Sequence, residues 1–292
     1  MDRVESGGRR RATAILSLRD AIALHVHDGD TVALEGFTHL IPHAAGHEII
    51  RQRRRDLTLI RLTPDIIHDQ LIGVGAARKL VFAWGGNPGV GSLYRFRDAI
   101  ENGWPHPIEI VEHSHGSMAA AWVAGASRLP FGALRGAAGT DLPAHSPAFR
   151  TIECPFTGET LTAVAAHRPD VTIIHAQRAD EIGNIQIRGM TGVLKEAVLA
   201  ADRAIVTVEE IVPHIERVSG DLLIPAEVID AVCHVPEGAY PSYAQGHTRR
   251  DNVFYREWDD ISRSRDRFTA WIDEYVHGTT DVAGFLARLR AT

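Results

Sequence analysis

The sequence is short of cysteine, of long apolar runs and of positive charge, and each shortage removes a class of function. Only two cysteines occur in 292 residues. Cys154 and Cys233 lack the spacing of a redox pair or a metal site, which argues for a reduced, cytoplasmic protein. No apolar stretch approaches the roughly 18–20 residues of a membrane helix, so no membrane partner is expected. The formal net charge of −6 argues against a nucleic-acid partner, though a local basic patch could still hold a small anion. The start, Gly7-Gly8-Arg9-Arg10-Arg11, imitates a twin-arginine signal. A signal needs an uninterrupted apolar core of roughly 7–15 residues, and Arg19, Asp20, His25 and His27 break this one. Residues 1–12 are therefore read as a disordered tail.

What is present is an alternation of strands and helices. With 45% hydrophobic residues the chain can bury a large core. Helices are expected over 18–27, 43–54, 92–101 and 115–127, and buried strands over 31–34, 57–62, 80–83 and 108–111. The second half repeats the grammar with strands at 171–176 and 204–208 and a helix over 193–201. This order predicts an α/β fold, a mostly parallel open sheet with helices on both faces. No linker divides the chain, so 13–292 is read as a single domain. Within it, 240–292, dense in Tyr, Trp, Phe, Arg and Asp, is read as a C-terminal segment that wraps a surface or packs on a partner.

Ligands of open parallel sheets bind beyond the carboxyl ends of the strands, which directs attention to the loops there. The segment Trp84-Gly85-Gly86-Asn87-Pro88-Gly89-Val90-Gly91-Ser92 follows a strand and opens a helix. Its glycines let backbone approach a ligand. Ser92 is placed to cap the helix, whose free N–H groups would favour an anion or a developing oxyanion. Glu35-Gly36-Phe37-Thr38-His39-Leu40-Ile41-Pro42 makes a second sharp turn after a strand. Glu112-His113-Ser114-His115-Gly116 could do acid–base work, or be a capped helix start with solvated histidines. His113 and His115, two apart, point away from each other on a strand. His39, His43 and His47 recur every four residues, but Pro42 interrupts the helix that would align them, and His47-Glu48 lacks the second histidine of a zinc motif. No metal is expected. Arg51, Arg53, Arg54 and Arg55 read as a solvated helix end rather than a phosphate contact.

These loops together resemble the family I CoA transferases, in particular the α subunit of the glutaconate CoA-transferase type. The likeness runs from about Leu18 to Tyr275. It rests on Asp28–Pro42, with Glu35 where the family pattern has a glycine, and on Gly85–Arg97. Gly139-Thr140-Asp141, Cys154–Glu159, His175-Ala176-Gln177, Asp180–Gly189, Lys195–Val198 and Tyr243–Trp258 complete it. The resemblance implies ping-pong chemistry on a glutamate: a CoA transferase moving CoA between an acyl-CoA and a free carboxylic acid. It implies coenzyme A as substrate, with no permanently bound cofactor. It also implies a β subunit that carries the glutamate in a Ser-Glu-Asn-Gly setting, in an αβ or α2β2 assembly. Glu101-Asn102-Gly103 imitates that setting but closes a helix, and is read as a decoy. The expected substrate-binding residues are Phe37, Thr38, His39, Gly85, Gly86, Asn87, Pro88, Gly89, Val90, Gly91, Ser92 and His115. Glu112 is the expected catalytic helper. Two alternatives stand beside this reading. One is an α subunit of a related hydrolase that opens a ring in a steroid-derived CoA ester, in which Glu112 would matter more. The other is a non-catalytic ligand-binding module.

Overall fold

The computed structural model describes residues 13–87, 90–137 and 140–291; the tail 1–12 lies outside them. The first half runs β1 (Ala14–Ile15), α1 (Leu18–His25), β2 (Thr31–Leu34), α2 (His43–Arg51), β3 (Leu57–Arg61), α3 (Ile66–Gly73), β4 (Ala77–Phe82), α4 (Tyr94–Glu101), β5 (Glu109–Glu112) and α5 (His115–Ala126). Then come β6 (Phe131–Leu134), α6 (Leu142–His145), β7 (Phe149–Glu153) and β8 (Thr160–Ala165). The chain returns through β9 (Val171–Asp180), β10 (Ile185–Ile187), α7 (Leu194–Ala200), β11 (Arg203–Val212), β12 (Leu222–Ile224) and β13 (Ala231–His234). It ends in α8 (Asn252–Arg263), α9 (Arg265–Trp271), a π-helical turn (Ile272–His277) and α10 (Val282–Leu289).

The main sheet follows the order β1-β13-β11-β9-β2-β3-β4-β5, with every pair along that path parallel. Its central strands are buried on both faces and rich in Val, Ile and Leu, the composition that a helix-covered parallel sheet requires. Strands β10 and β12 add an antiparallel flap to β9. The mostly parallel α/β fold expected from the sequence is the fold observed.

Two features escaped the sequence pattern. Helix α3 has all eight residues buried, so it shows no polar face and no amphipathic period. Strands β6, β8 and β7 form a separate antiparallel sheet. Its outer strands are short and largely exposed, so they show no alternation of buried and exposed residues long enough to read. Helix α2 also stops at Arg51, three residues short of expectation. The aromatic C-terminal segment packs on its own chain. Phe254, Trp258, Phe268, Trp271 and Phe285 join Ile22, Ile49 and Leu71 in one core, with the Trp258 and Trp271 rings 5.0 Å apart.

Candidate active site

In sequence, the chain leaves β2 toward β3, β4 and β5, whereas β9 leads the opposite way to β11 and β13. The crevice between the carboxyl ends of β2 and β9 is therefore the topological switch point, where open α/β sheets bind ligands. The loop 35–42 sits there. It is tightly knotted: Thr38 and Leu40 both have φ 56°, left-handed conformations that cost a non-glycine residue about 1–2 kcal/mol each. A Cβ at Gly36 would lie 2.7 Å from the carbonyl oxygens of His39 and Leu40, so only glycine fits.

His39 secures that knot. The Gln245 N–H donates to its Nε2 at 3.0 Å, which leaves Nδ1 to donate to the Met190 carbonyl at 2.9 Å. Its ring stacks on Tyr243 at 4.4 Å. Burial lowers its pKa, consistent with a neutral ring. Leu40 N–H donates to the Tyr243 carbonyl, and the Ser242 hydroxyl to that of Thr38. Both ring nitrogens of His39 are thus engaged within the chain, while Phe37 and Thr38 stay half-buried at the surface.

Among the described residues, no buried side-chain polar atom of β9 or β11 is left without a partner. His175 pairs Nδ1 with Thr207 Oγ1 at 2.8 Å and Nε2 with Glu209 Oε1 at 3.1 Å. Glu209 also accepts the Glu237 N–H at 2.7 Å. Burial pushes its pKa up, but His175 and that N–H hold it below the ordinary value. Gln177 clasps the backbone of Arg188 through both ends of its amide, at 2.9 and 3.0 Å.

The β3–β5 side is different. Arg61, at the end of β3, is wholly buried and donates Nη1 to the Leu34 carbonyl at 2.7 Å. Its Nε and Nη2 have no hydrogen-bonding partner among the described residues. Around it lie Glu35, Asp65, His43 and His68. Asp65 is 4.0 Å from His43 and 3.9 Å from His68, and Tyr255 O–H approaches it at 3.5 Å. Burial lifts Glu35 to a pKa of about 7, against the pull of Arg61 and of the Leu62 N–H it accepts. Burial lowers His43 and His68 to about 4. Asp65 stays at about 2, because its histidine and arginine neighbours outweigh its burial.

The glycine loop after β4 departs from expectation at its helix. Ser92 is not the cap; α4 starts at Tyr94, with Leu93 in the cap position and no side-chain cap bond. The N–H groups of Arg95 and Phe96 are not open to a ligand either. Both donate at 2.9 Å to Asp69 Oδ1, whose other oxygen accepts the Trp258 indole N–H at 3.1 Å. The Asp69 carboxyl group thus takes up both N–H groups at that helix start and leaves neither for a ligand. Ser92 N–H instead donates to Asp259 at 3.0 Å. Gly91, at φ 122°, lies so close to Asp259 that a Cβ would collide with its carboxylate. Asn87 is buried, and neither its side-chain oxygen nor its nitrogen has a partner among the described residues. Gly85 and Val90 are half-buried and Gly86 is buried, while Trp84 is 46% exposed at the mouth of the loop. Pro88 and Gly89 lie outside the described residues.

Glu112 ends β5, the edge strand, and is exposed. Three strand spacings separate β5 from β2, about 14 Å. His115 is exposed and opens α5, which Ser114 and Ser117 cap reciprocally. His113 turns inward against Phe149 and His167, each ring 5.2 Å away. His113 Nε2, His167 Nε2 and Trp122 Nε1 have no partner among the described residues. Arg51 donates to the Val276 and Thr279 carbonyls and so braces the C-terminal segment. No cluster of three His, Cys, Asp or Glu side chains suited to a metal ion occurs among the described residues.

The sequence pattern points to the loops at the strand ends but not to Arg61, Asp65, His68 and Asp69, which only the fold brings together. Asp69 did leave a signal: it is a carboxylate between the apolar pairs Ile66-Ile67 and Leu71-Ile72, where a buried charge must have fixed partners.

The family described as coenzyme A transferase matches residues 15–234. The α subunit of 3-oxoadipate CoA-transferase from Pseudomonas knackmussii is 59% identical over 94% of this chain and 98% of its own length. A cholesterol ring-cleaving hydrolase subunit of Mycobacterium tuberculosis is 27% identical over 90% of this chain and 93% of its own. Among solved structures, glutaconate CoA-transferase from Acidaminococcus fermentans superposes with a TM-score of 0.88 at 32% identity. That match covers 95% of this chain and 93% of the other.

Proposed function

This chain belongs to the coenzyme A transferase family as an α subunit, and we propose that with its β subunit it moves CoA between a CoA thioester and a dicarboxylic acid of the 3-oxoadipate kind. The observation that carries this substrate class is the 59% identity to the α subunit of a 3-oxoadipate CoA-transferase, spread over nearly both whole chains. In the reaction, a glutamate carboxylate of the β subunit attacks the acyl carbonyl and releases CoA thiolate. The thiolate then attacks the glutamyl carbonyl of the anhydride and frees the first acid. The acceptor acid reverses both steps.

The part proposed for this chain is to shape the acyl pocket at the α–β boundary. Phe37 and Thr38 offer surface at the switch point. Loop 85–92 offers close backbone and the Asn87 amide, which can donate to an oxyanion as it develops. Glu112 and His115 border the same edge of the sheet and would orient the ligand. The free cysteines Cys154 and Cys233 support a reducing, cytoplasmic setting. The ring-opening hydrolase reading would need Glu112 to act on substrate, and the relative that supports it is far more distant.

The test is co-purification with a β chain bearing Ser-Glu-Asn-Gly, followed by assay of CoA transfer from a CoA thioester to 3-oxoadipate. Transfer is expected, with the trapped glutamyl thioester on the β chain. A thioester on this chain, or hydrolysis of the thioester without transfer, would reject the proposal.

A further inference from the structure

The segment 243–251 is joined to the switch-point loop through Tyr243 and Gln245. It folds into a tight turn closed by the Ala244–Thr248 pairing, with Gly246 at φ 89°. A cavity of about 460 Å³ lies against this turn, and the single run Tyr243–Arg250 supplies all its walls. A second cavity, of about 490 Å³, shares His247, Thr248, Arg249 and Arg250 with the first and extends to Tyr240 and Arg290. Concavities of this size suit small ligands, and one walled by a single segment needs a second body to close it.

The charges in these cavities are unevenly matched. Glu237 is paired with Arg290. Asp251 accepts the Tyr240 hydroxyl at 2.6 Å and caps α8 through the N–H groups of Val253 and Phe254. His247 lies 3.8 Å from Glu210. Arg250 lies over the Tyr255 ring at 4.4 Å, which fixes its guanidinium in place. Arg249 is exposed and has no ion-pair partner among the described residues. The acids are in use, and the Arg249 guanidinium is left without an ion pair among the described residues, beside the candidate active site of a chain whose net charge is −6.

We propose that this turn is a half-site for the carboxylate at the far end of a dicarboxylic acyl group, with Arg249 meeting it, Arg250 supporting the charge, and the β subunit closing the open side. The inference rests on the transferase reading above. When one carboxyl of a dicarboxylic acid becomes a thioester, the other stays ionised and must be held while the first reacts. A guanidinium offers the paired donors that fit a carboxylate. The same chemistry would also accept the phosphates of CoA, so the experiment separates the two sources.

The reconstituted two-subunit enzyme is assayed with 3-oxoadipate and with 3-oxohexanoate, which lacks the distal carboxylate. Arg249→Gln is expected to reduce the preference for the dicarboxylic acid, as a ratio of kcat/KM values, by about tenfold or more. Arg249→Glu is expected to transfer CoA to 6-aminohexanoate faster than the parent does, a gain that a misfolded variant cannot produce. An unchanged ratio overturns the proposal. So does a rise in KM for the CoA thioester that is equal for both acyl groups, which would assign the site to the CoA phosphates. If the parent enzyme transfers CoA to no acid at all, the transferase reading fails and this inference falls with it.

Discussion

The two sides of the switch point solve the same problem in opposite ways. On the β9–β11 side, His175, Glu209, Thr207 and Gln177 bury polar groups in a network that is closed within the chain. On the β3–β5 side, Arg61, Asp65, His43, His68, Asn87, His113 and His167 bury polar atoms that find no partner among the described residues. A closed network makes a rigid wall. Unpaired buried groups are costly and concentrate at functional sites. The difference makes the closed flank a scaffold, and we propose the unpaired flank as the one that faces the chemistry. It also shifts weight within the site, because the acid best placed among charged neighbours is Glu35 rather than the exposed Glu112 at the sheet edge.

The sharpest way to break this contrast is to remove the charge that organises the unpaired flank. Arg61→Met would leave Glu35 and Asp65 buried without their cation, a loss of roughly 3–5 kcal/mol. Urea unfolding of the purified chain measures it. On the closed flank, Glu209→Ala would strand His175 Nε2 and the Glu237 N–H, for about 2 kcal/mol. If Glu209→Ala proves the more damaging of the two, the contrast between the flanks fails.

Acid separates the flanks further. Burial lowers His43, His68 and His113 to about 4 and His167 to about 3. Between about pH 4.5 and 6.5 the unfolded chain binds protons at these four positions and the native chain refuses them, so stability rises with pH. Glu35 and Asp69, raised by burial to about 7, act in the other direction. The native chain keeps their two protons while the unfolded chain releases them, so their contribution is lost as pH rises toward 7. Four outweigh two, and stability is expected to climb with pH across that window. His43→Gln should flatten the climb by about 1.4 kcal/mol per pH unit. An unaltered slope would show that His43 is not held neutral.

What could be read in advance follows the same division. Strands β2, β3, β9 and β11 were legible because burial on both faces leaves long runs of Val, Ile and Leu. The loops after β2 and β4 were legible through Gly36, Gly85 and Gly86. The unpaired flank was not, because it exists only in three dimensions. Arg61 and Asp65 look like ordinary charges at a strand end, and His43 and His68 lie on different helices. Tyr255 reaches Asp65 from 190 residues away. The capping role of Ser92 was misjudged for a related reason: the carboxylate that satisfies α4 comes from α3, which shows no helical period because no face of it meets water.

The smallest expected effect tests the far side of the sheet from both flanks. Helix α4 starts at the carboxyl edge of β4 and runs back for eight residues, about 12 Å. Its last residue, Glu101, therefore lies toward the opposite edge. There Asn102 occupies the C-cap and Gly103 takes φ 65°, a helix stop that needs no ligand. Glu101 is exposed and pairs with Arg97 at 3.0 Å, an interaction worth no more than about 0.5 kcal/mol. A nucleophile at this position would be a helix length from every loop that lines the candidate pocket. Glu101→Gln is thus expected to leave kcat, KM and the yield of trapped thioester in the two-subunit enzyme unchanged. Loss of the trapped thioester would move the nucleophile onto this chain and with it the whole active site to the other edge of the sheet.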